Sequence, residues 1–340
     1  VAGRPEQPEP FLRGCAWPAG EGVPYPRCDP GPTGLRLPAD TRACAALPVG
    51  VRLEFVGDPA VVEIDYETRT AELGHRGAGA GTRFALFRGA KRIADAEAML
   101  GAGTARLAAG SGPERAITYL PEGMRPVVHR VRGIGGAIEP APRLPRWICY
   151  GDSIAEGWCA SEPAAAWPHV LARERGLDVM NLGYAGSARG EIASAEEIAA
   201  LRADLIAITH GTNCWTRTPH SAGMFAEGLR AFLAVVREGH PRTPIVAVSP
   251  LLRADAEDTP NRLGVTLAEL RAVFEAVVRE RIAGGDRALV LVPGLPLLPR
   301  ERFPDGIHPD DEGHAQLARA LGRVLSRALA GGPGEGAPDA

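Results

Sequence analysis

Three polar residues end short apolar runs in the C-terminal half of this 340-residue chain: Ser153 closes WICYGDS, Gly186 closes LDVMNLGYAG and Asn213 closes ADLIAITHGTN. Further on, FPDGIHP at 303–309 places Asp305 and His308 three residues apart. A serine at a strand-to-helix turn can offer its hydroxyl to a cleft and its own amide to an oxyanion. Taken alone, Ser153 equally suits a helix cap. A Gly- and Pro-containing loop can set a carboxylate beside one imidazole nitrogen while the other points at the serine. His308 would then take the hydroxyl proton and return it to the leaving group, with Asp305 fixing the tautomer and favouring the imidazolium. The Ser153 and Gly186 amides and the Asn213 side chain can donate to the oxygen of a tetrahedral intermediate. Singly, Gly186 also suits a positive-φ turn and Asn213 a backbone cap. His314, six residues past His308 at the start of a final helix, reads as a surface or capping residue.

Around these groups, Trp158 follows Ser153 by five residues and Trp215 follows Asn213 by two. Both are candidates to line an acyl or aromatic pocket, against the alternative of ordinary packing, which is the reading for Trp167. His210, at the end of an apolar strand, is a candidate to bond substrate or loop backbone. Arg189 and Arg217 are loop cations suited to surface ion pairs. LRADAEDTPNR at 252–262 reads as a mobile rim or a plain solvent loop.

The elements that must position these residues follow from periodicity. Residues 1 to about 47 are rich in Pro and Gly and show no helical period. Short β-branched or aromatic runs at 52–57, 60–70, 82–89, 105–110, 115–120 and 126–134 indicate a β-sandwich or jelly-roll-like module over 1–140. Prolines in 136–146 mark a linker. From Trp147, apolar strands ending near 153, 186, 213, 252 and 294 alternate with helices at 166–175, 192–201, 221–238, 265–282 and 310–329. That alternation predicts a parallel sheet covered on both faces over 147–330. In such a sheet, functional groups gather at the carboxyl ends of strands. The tail at 331–340 reads as flexible.

Composition narrows the classes. With 45% hydrophobic and 23% charged residues, the chain has material for a sizeable core. The 38 basic against 41 acidic residues give a net charge of −3, without the positive field of a nucleic-acid binder. No apolar stretch approaches the roughly 18 residues of a membrane span. No export signal is visible, so a cytoplasmic location is expected. Cys15, Cys28, Cys44, Cys149, Cys159 and Cys214 read as free structural thiols. Neither C-x2-C nor H-E-x-x-H occurs, and no Cys–His spacing suggests a metal site.

Four ordered blocks, GDSI at 151–154, NLGYAG at 181–186, GTN at 211–213 and DGIH at 305–308, resemble the SGNH, or GDSL-type, hydrolase superfamily over about 147–330. The resemblance implies a flavodoxin-like three-layer α/β fold. It also implies Ser153 as nucleophile, His308 as base, Asp305 as its orienter, and Ser153, Gly186 and Asn213 as the oxyanion hole. No metal or organic cofactor is implied. Two departures occur: Ile154 replaces the Leu of the family name, and Cys214 stands where Asp is common. Two-domain members with an N-terminal β-sandwich resemble carbohydrate esterases and polyketide-tailoring acyltransferases. The expected activity is hydrolysis of an acyl ester of a small molecule or sugar, with glycosylated and aromatic substrates among the candidates. The alternative is transfer of the acyl group to a hydroxyl acceptor in secondary metabolism. The triad serves water and another hydroxyl alike, and the oligomeric state is open.

Overall fold

The computed structural model describes residues 6–19, 22–71, 81–216 and 218–331. Arg217 and the tail from 332 onward lie outside the described residues.

Alternating apolar residues build the N-terminal part from β1 (Leu12–Arg13), β2 (Arg52–Gly57), β3 (Val61–Thr68), β4 (Arg83–Arg88), β5 (Lys91–Glu97), β6 (Gly101–Ala108), β7 (Ala116–Tyr119), β8 (Val127–Ile134) and β9 (Ile138–Pro140). One antiparallel sheet runs β1-β2-β7-β4-β5 with β9 also on β2, and a second runs β6-β3-β8. Leu53 and Phe55 of one sheet meet Val62, Ile64 and Tyr66 of the other in a shared core, as the two-residue strand period requires.

Two features differ from the sequence expectation. Residues 32–45 hold two short helices, α1 (Pro32–Leu35) and α2 (Ala39–Ala45), too short for periodicity to reveal. The expected linker contributes β9, whose Pro140 sits opposite Phe55. Because β7 occupies the other side of β2, β9 is an edge segment, where a missing backbone N–H is tolerated.

The C-terminal part follows the expected alternation: β10 (Arg146–Gly151), α3 (Ser153–Glu156), α4 (Trp167–Arg175), β11 (Asp178–Gly183), α5 (Ile192–Ala200), β12 (Leu205–Thr209), α6 (Ala222–Gly239), β13 (Ile245–Val248), α7 (Leu267–Ala283), β14 (Leu289–Val292) and α8 (Asp311–Leu329). All strand pairs are parallel, in the order β11-β10-β12-β13-β14. Ile148, Tyr150, Ile206 and Ile208 face α5, α6 and α7, whereas Trp147, Cys149, Leu205 and Ala207 face α4 and α8. This strand order with helices on both faces is the flavodoxin-like three-layer arrangement that the resemblance implied. The strand order reverses between β10 and β12, which opens a crevice at their carboxyl ends.

Arginines join the two parts. Arg27, fully buried, donates to the carbonyls of Asn181 (3.0 Å) and Gly183 (2.6 Å) at the end of β11. Arg52 pairs with Glu54 at 2.7 Å and with Asp178 at 2.8 Å. Thus β2 is buried on both faces, with Leu53 and Phe55 toward the sandwich core and Arg52 and Glu54, each 1% exposed, on its other face. Among the described residues, no helix is long and apolar enough to cross a membrane.

Candidate active site

Ser153 opens α3 directly after β10. Asp152 caps that turn, its Oδ1 accepting the Ile154 amide at 3.0 Å. Gly151 is required by space, since a Cβ there would lie 2.1 Å from Thr209 Oγ1 and 2.7 Å from Ala155 Cβ. The strand end and the α3 turn therefore meet closely enough to fix the Ser153 hydroxyl in the crevice.

The Asp305–His308 turn closes against it from the far end of the chain. Asp305 Oδ1 accepts the amides of Ile307 (2.9 Å) and His308 (2.7 Å), and its Oδ2 lies 2.6 Å from His308 Nδ1. His308 Nε2 lies 2.8 Å from Ser153 Oγ. Burial opposes the charge on Asp305, but hydrogen bonds from the His308 ring and from the His308 and Ile307 amides outweigh it and hold the carboxyl at about 2. An ionised carboxylate at Nδ1 places the neutral ring's proton there and leaves Nε2 free to accept from the hydroxyl. Trp158 stacks on the ring, with centroids 5.0 Å apart and planes at 29°.

Gly186 follows β11 at φ +68°, a conformation that favours glycine. Its loop is held by Ala185 N donating to Glu156 Oε2 at 2.8 Å, and by the Asn213 side-chain amide donating to the Ser187 carbonyl. An asparagine amide has two N–H donors, so one remains for an oxyanion. Gly186 and Asn213 thus lie on adjoining loops beside the Ser153 turn.

The N-terminal part braces this same loop. Arg189 binds both oxygens of Asp40 (2.9 and 3.0 Å) and the Gly186 carbonyl (3.3 Å). The Cys44 thiol donates to the Ala185 carbonyl at 3.3 Å, and Thr41 Oγ1 to Glu191 at 3.3 Å. The first 140 residues therefore reach the loop behind the site through α2. No sequence signal marks Asp40, Thr41 or Cys44, because their partners lie about 140 to 150 residues away.

Other sequence candidates are placed differently. His210 is 1% exposed and ringed by Tyr150, Phe225, Phe232 and Phe274, away from solvent. Burial lowers its pKa to about 3, so it is neutral. His314 corrects the surface reading: it is fully buried, accepts the Trp167 amide at 3.3 Å and lies 3.0 Å from the Trp158 carbonyl. Trp167 packs beside Trp147, as expected. Trp215 is half-buried, donates from its indole to the Thr259 carbonyl at 2.8 Å and lies under Arg253. The 252–262 segment is tied down more firmly than a plain loop, because Arg271 clamps Glu257 and the carbonyls of Pro250 and Leu251.

All six cysteines are free. Cys159 is exposed, and its Sγ lies 3.6 Å from Asp305 Oδ2. Burial and Asp305 push this thiol up to about 11, so it is a neutral donor rather than a competing nucleophile. Spacing along the chain gave no hint of a metal-ligating set, yet Cys159, Asp305 and His308 converge here.

Residues 149–316 match the model of the GDSL-like Lipase/Acylhydrolase family. Among solved structures, the chain is similar to the salicylyl-acyltransferase SsfX3 from a tetracycline biosynthetic pathway. The identity is 26% and the TM-score 0.81, covering 96% of this chain and 97% of that one. A protein from Bacteroides ovatus described as a GDSL-like lipase shares the fold at 21% identity and TM-score 0.78, over 96% and 98% of the chains. An acetyl xylan esterase, Est2A, from the rumen bacterium Butyrivibrio proteoclasticus does so at 14% and 0.63, over 97% and 99%. No curated protein matches the chain in sequence.

Proposed function

Given that this chain has an SGNH/GDSL-type hydrolase or acyltransferase fold, we propose that it is an acyltransferase acting through an acyl-enzyme on Ser153. The observation that carries this reading is the similarity to SsfX3, at 26% identity, over both the β-rich and the α/β parts. Hydrolysis of a small acyl ester, the reading favoured by sequence alone, uses the same intermediate with water as the acceptor.

Ser153 Oγ attacks the donor carbonyl as His308 Nε2 takes its proton, and ionised Asp305 stabilises the resulting imidazolium. The Ser153 and Gly186 amides and the Asn213 side chain receive the oxyanion. His308 protonates the leaving group, then takes the proton of an acceptor hydroxyl, which attacks the acyl-enzyme and releases the new ester. Trp158, stacked on His308, and Trp215, beside Asn213, flank the site of a small sugar or aromatic acceptor. The β-rich residues 1–140 act as a brace on the oxyanion loop, and 147–330 carry the chemistry.

The test follows the acyl group from short acyl donors in the presence of sugar and aromatic hydroxyl acceptors. New ester with the intact protein, and none with Ser153→Ala, is the expected result. Free acid as the sole product across a broad acceptor panel overturns transfer in favour of hydrolysis. Full turnover by Ser153→Ala overturns the nucleophile.

A further inference from the structure

We propose that Cys159, Asp305 and His308 form a site for Zn2+ or a similar thiophilic divalent cation, and that filling it switches off the serine chemistry. One donor atom from each residue lies within 4.8 Å of the other two. The sulfur is 3.6 Å from Asp305 Oδ2, which is 2.6 Å from His308 Nδ1. Tetrahedral zinc, with bonds of about 2.0–2.3 Å, holds such ligands roughly 3.3–3.6 Å apart. The Cys159–Asp305 separation already meets that spacing, and the His308–Asp305 contact needs to open by about 0.7 Å. Both Cys159 and Asp305 are exposed, so an ion in solution can reach them. A mixed sulfur, nitrogen and oxygen set favours Zn2+ or Co2+ over Mg2+ or Ca2+, which prefer all-oxygen surroundings.

The consequence follows from imidazole chemistry. As the zinc–sulfur bond forms, the Cys159 thiol proton passes to solvent. As the zinc–Nδ1 bond forms, the neutral ring keeps its one proton by moving it from Nδ1 to Nε2. Nε2–H then donates to Ser153 Oγ where it formerly accepted, so the serine proton has no base. Asp305, engaged by the metal, no longer orients the ring. The site is thus an off-switch made from the triad's own parts plus one cysteine.

Only the inhibitory half rests on the serine mechanism above, so the test reads binding and activity separately. Co2+ added to the full chain is expected to give a near-ultraviolet sulfur-to-cobalt band that saturates at one equivalent and is bleached by Zn2+. Cys159→Ser and Cys159→Ala should both lose that band. Zn2+ is expected to abolish most activity, reversibly with EDTA, whereas Mg2+ has no effect. Each cysteine variant, referred to its own metal-free rate, should require at least about tenfold more Zn2+, since even outer-shell partners are worth that much in metal affinity. Absence of the band in the intact protein, its persistence in both variants, or unchanged Zn2+ sensitivity overturns the proposal. If Ser153→Ala proves fully active while the cobalt band behaves as expected, the serine mechanism fails and the metal site stands.

Discussion

The Asp305 carboxylate does two jobs with its two oxygens. Oδ1 shapes the turn through the Ile307 and His308 amides, and Oδ2 holds the imidazole. Asp305→Asn keeps the size but offers the ring an uncharged partner that no longer favours the imidazolium. The expected result is a kcat loss on the order of 10^3–10^4-fold with little change in KM, read by steady-state kinetics. Because the folded pKa is depressed to about 2, the group's share of stability is present above the ordinary carboxylate value of 3.8 and is lost as pH falls through about 2. Asp305 therefore sets no inflection in a pH–rate profile above about pH 4. In thermal melts, a loss of stability on acidification that is complete by about pH 4 and absent from Asp305→Asn would contradict this assignment.

At the scale of elements, the loop carrying Gly186 is a strand extension clasped from behind by α2. The Asp40 side chain is 48% exposed while that of Arg189 is 9% exposed. An ion pair so open to water contributes only about 0–1 kcal/mol to folding once screening is included. Its value lies in geometry, since Arg189 also holds the Gly186 carbonyl. Asp40→Asn should therefore lower kcat by about 10–100-fold, the scale of a small misplacement of catalytic groups, while Tm barely moves. Asp40→Glu should restore part of the rate. Equal loss of rate and stability would reduce the contact to a structural tie.

Across the whole molecule, buried charge joins the β-rich and α/β parts. Arg52→Met leaves Glu54 and Asp178 without their shared cation, a class of change that costs about 3–5 kcal/mol. Urea unfolding should show that loss in one common transition; a separate early transition of the β-rich part would argue against a joint core. Glu197 gives the interface a pH signature. Burial pushes its carboxyl up to about 8, opposed by the Asp29 amide at 2.9 Å and reinforced by the Asp29 charge. Between the ordinary value of 4.5 and about 8 the unfolded chain is ionised there and the folded one is not, so stability falls as pH rises across that window and levels off above it. Glu197→Gln should flatten this slope in thermal melts taken across the window between 4.5 and about 8. An unchanged slope would assign the effect to another group.

Local pattern was enough for the four blocks and the parallel sheet, because three of the blocks, those carrying Ser153, Gly186 and Asn213, follow strands whose apolar runs announce them. Those positions depend on neighbours along the chain and on the one topology that parallel strands with helical crossovers permit. Partners far apart in sequence depended on packing instead. The face of β2 that carries Arg52 and Glu54 became an interface; His210, a candidate for substrate or loop backbone, is enclosed by aromatic rings, and His314, read as a surface or capping residue, is buried. Cys159 met Asp305 across 146 positions. Periodicity reports which face of an element is apolar, but only the folded chain decides what covers its polar face, and so which side chains meet across the junction.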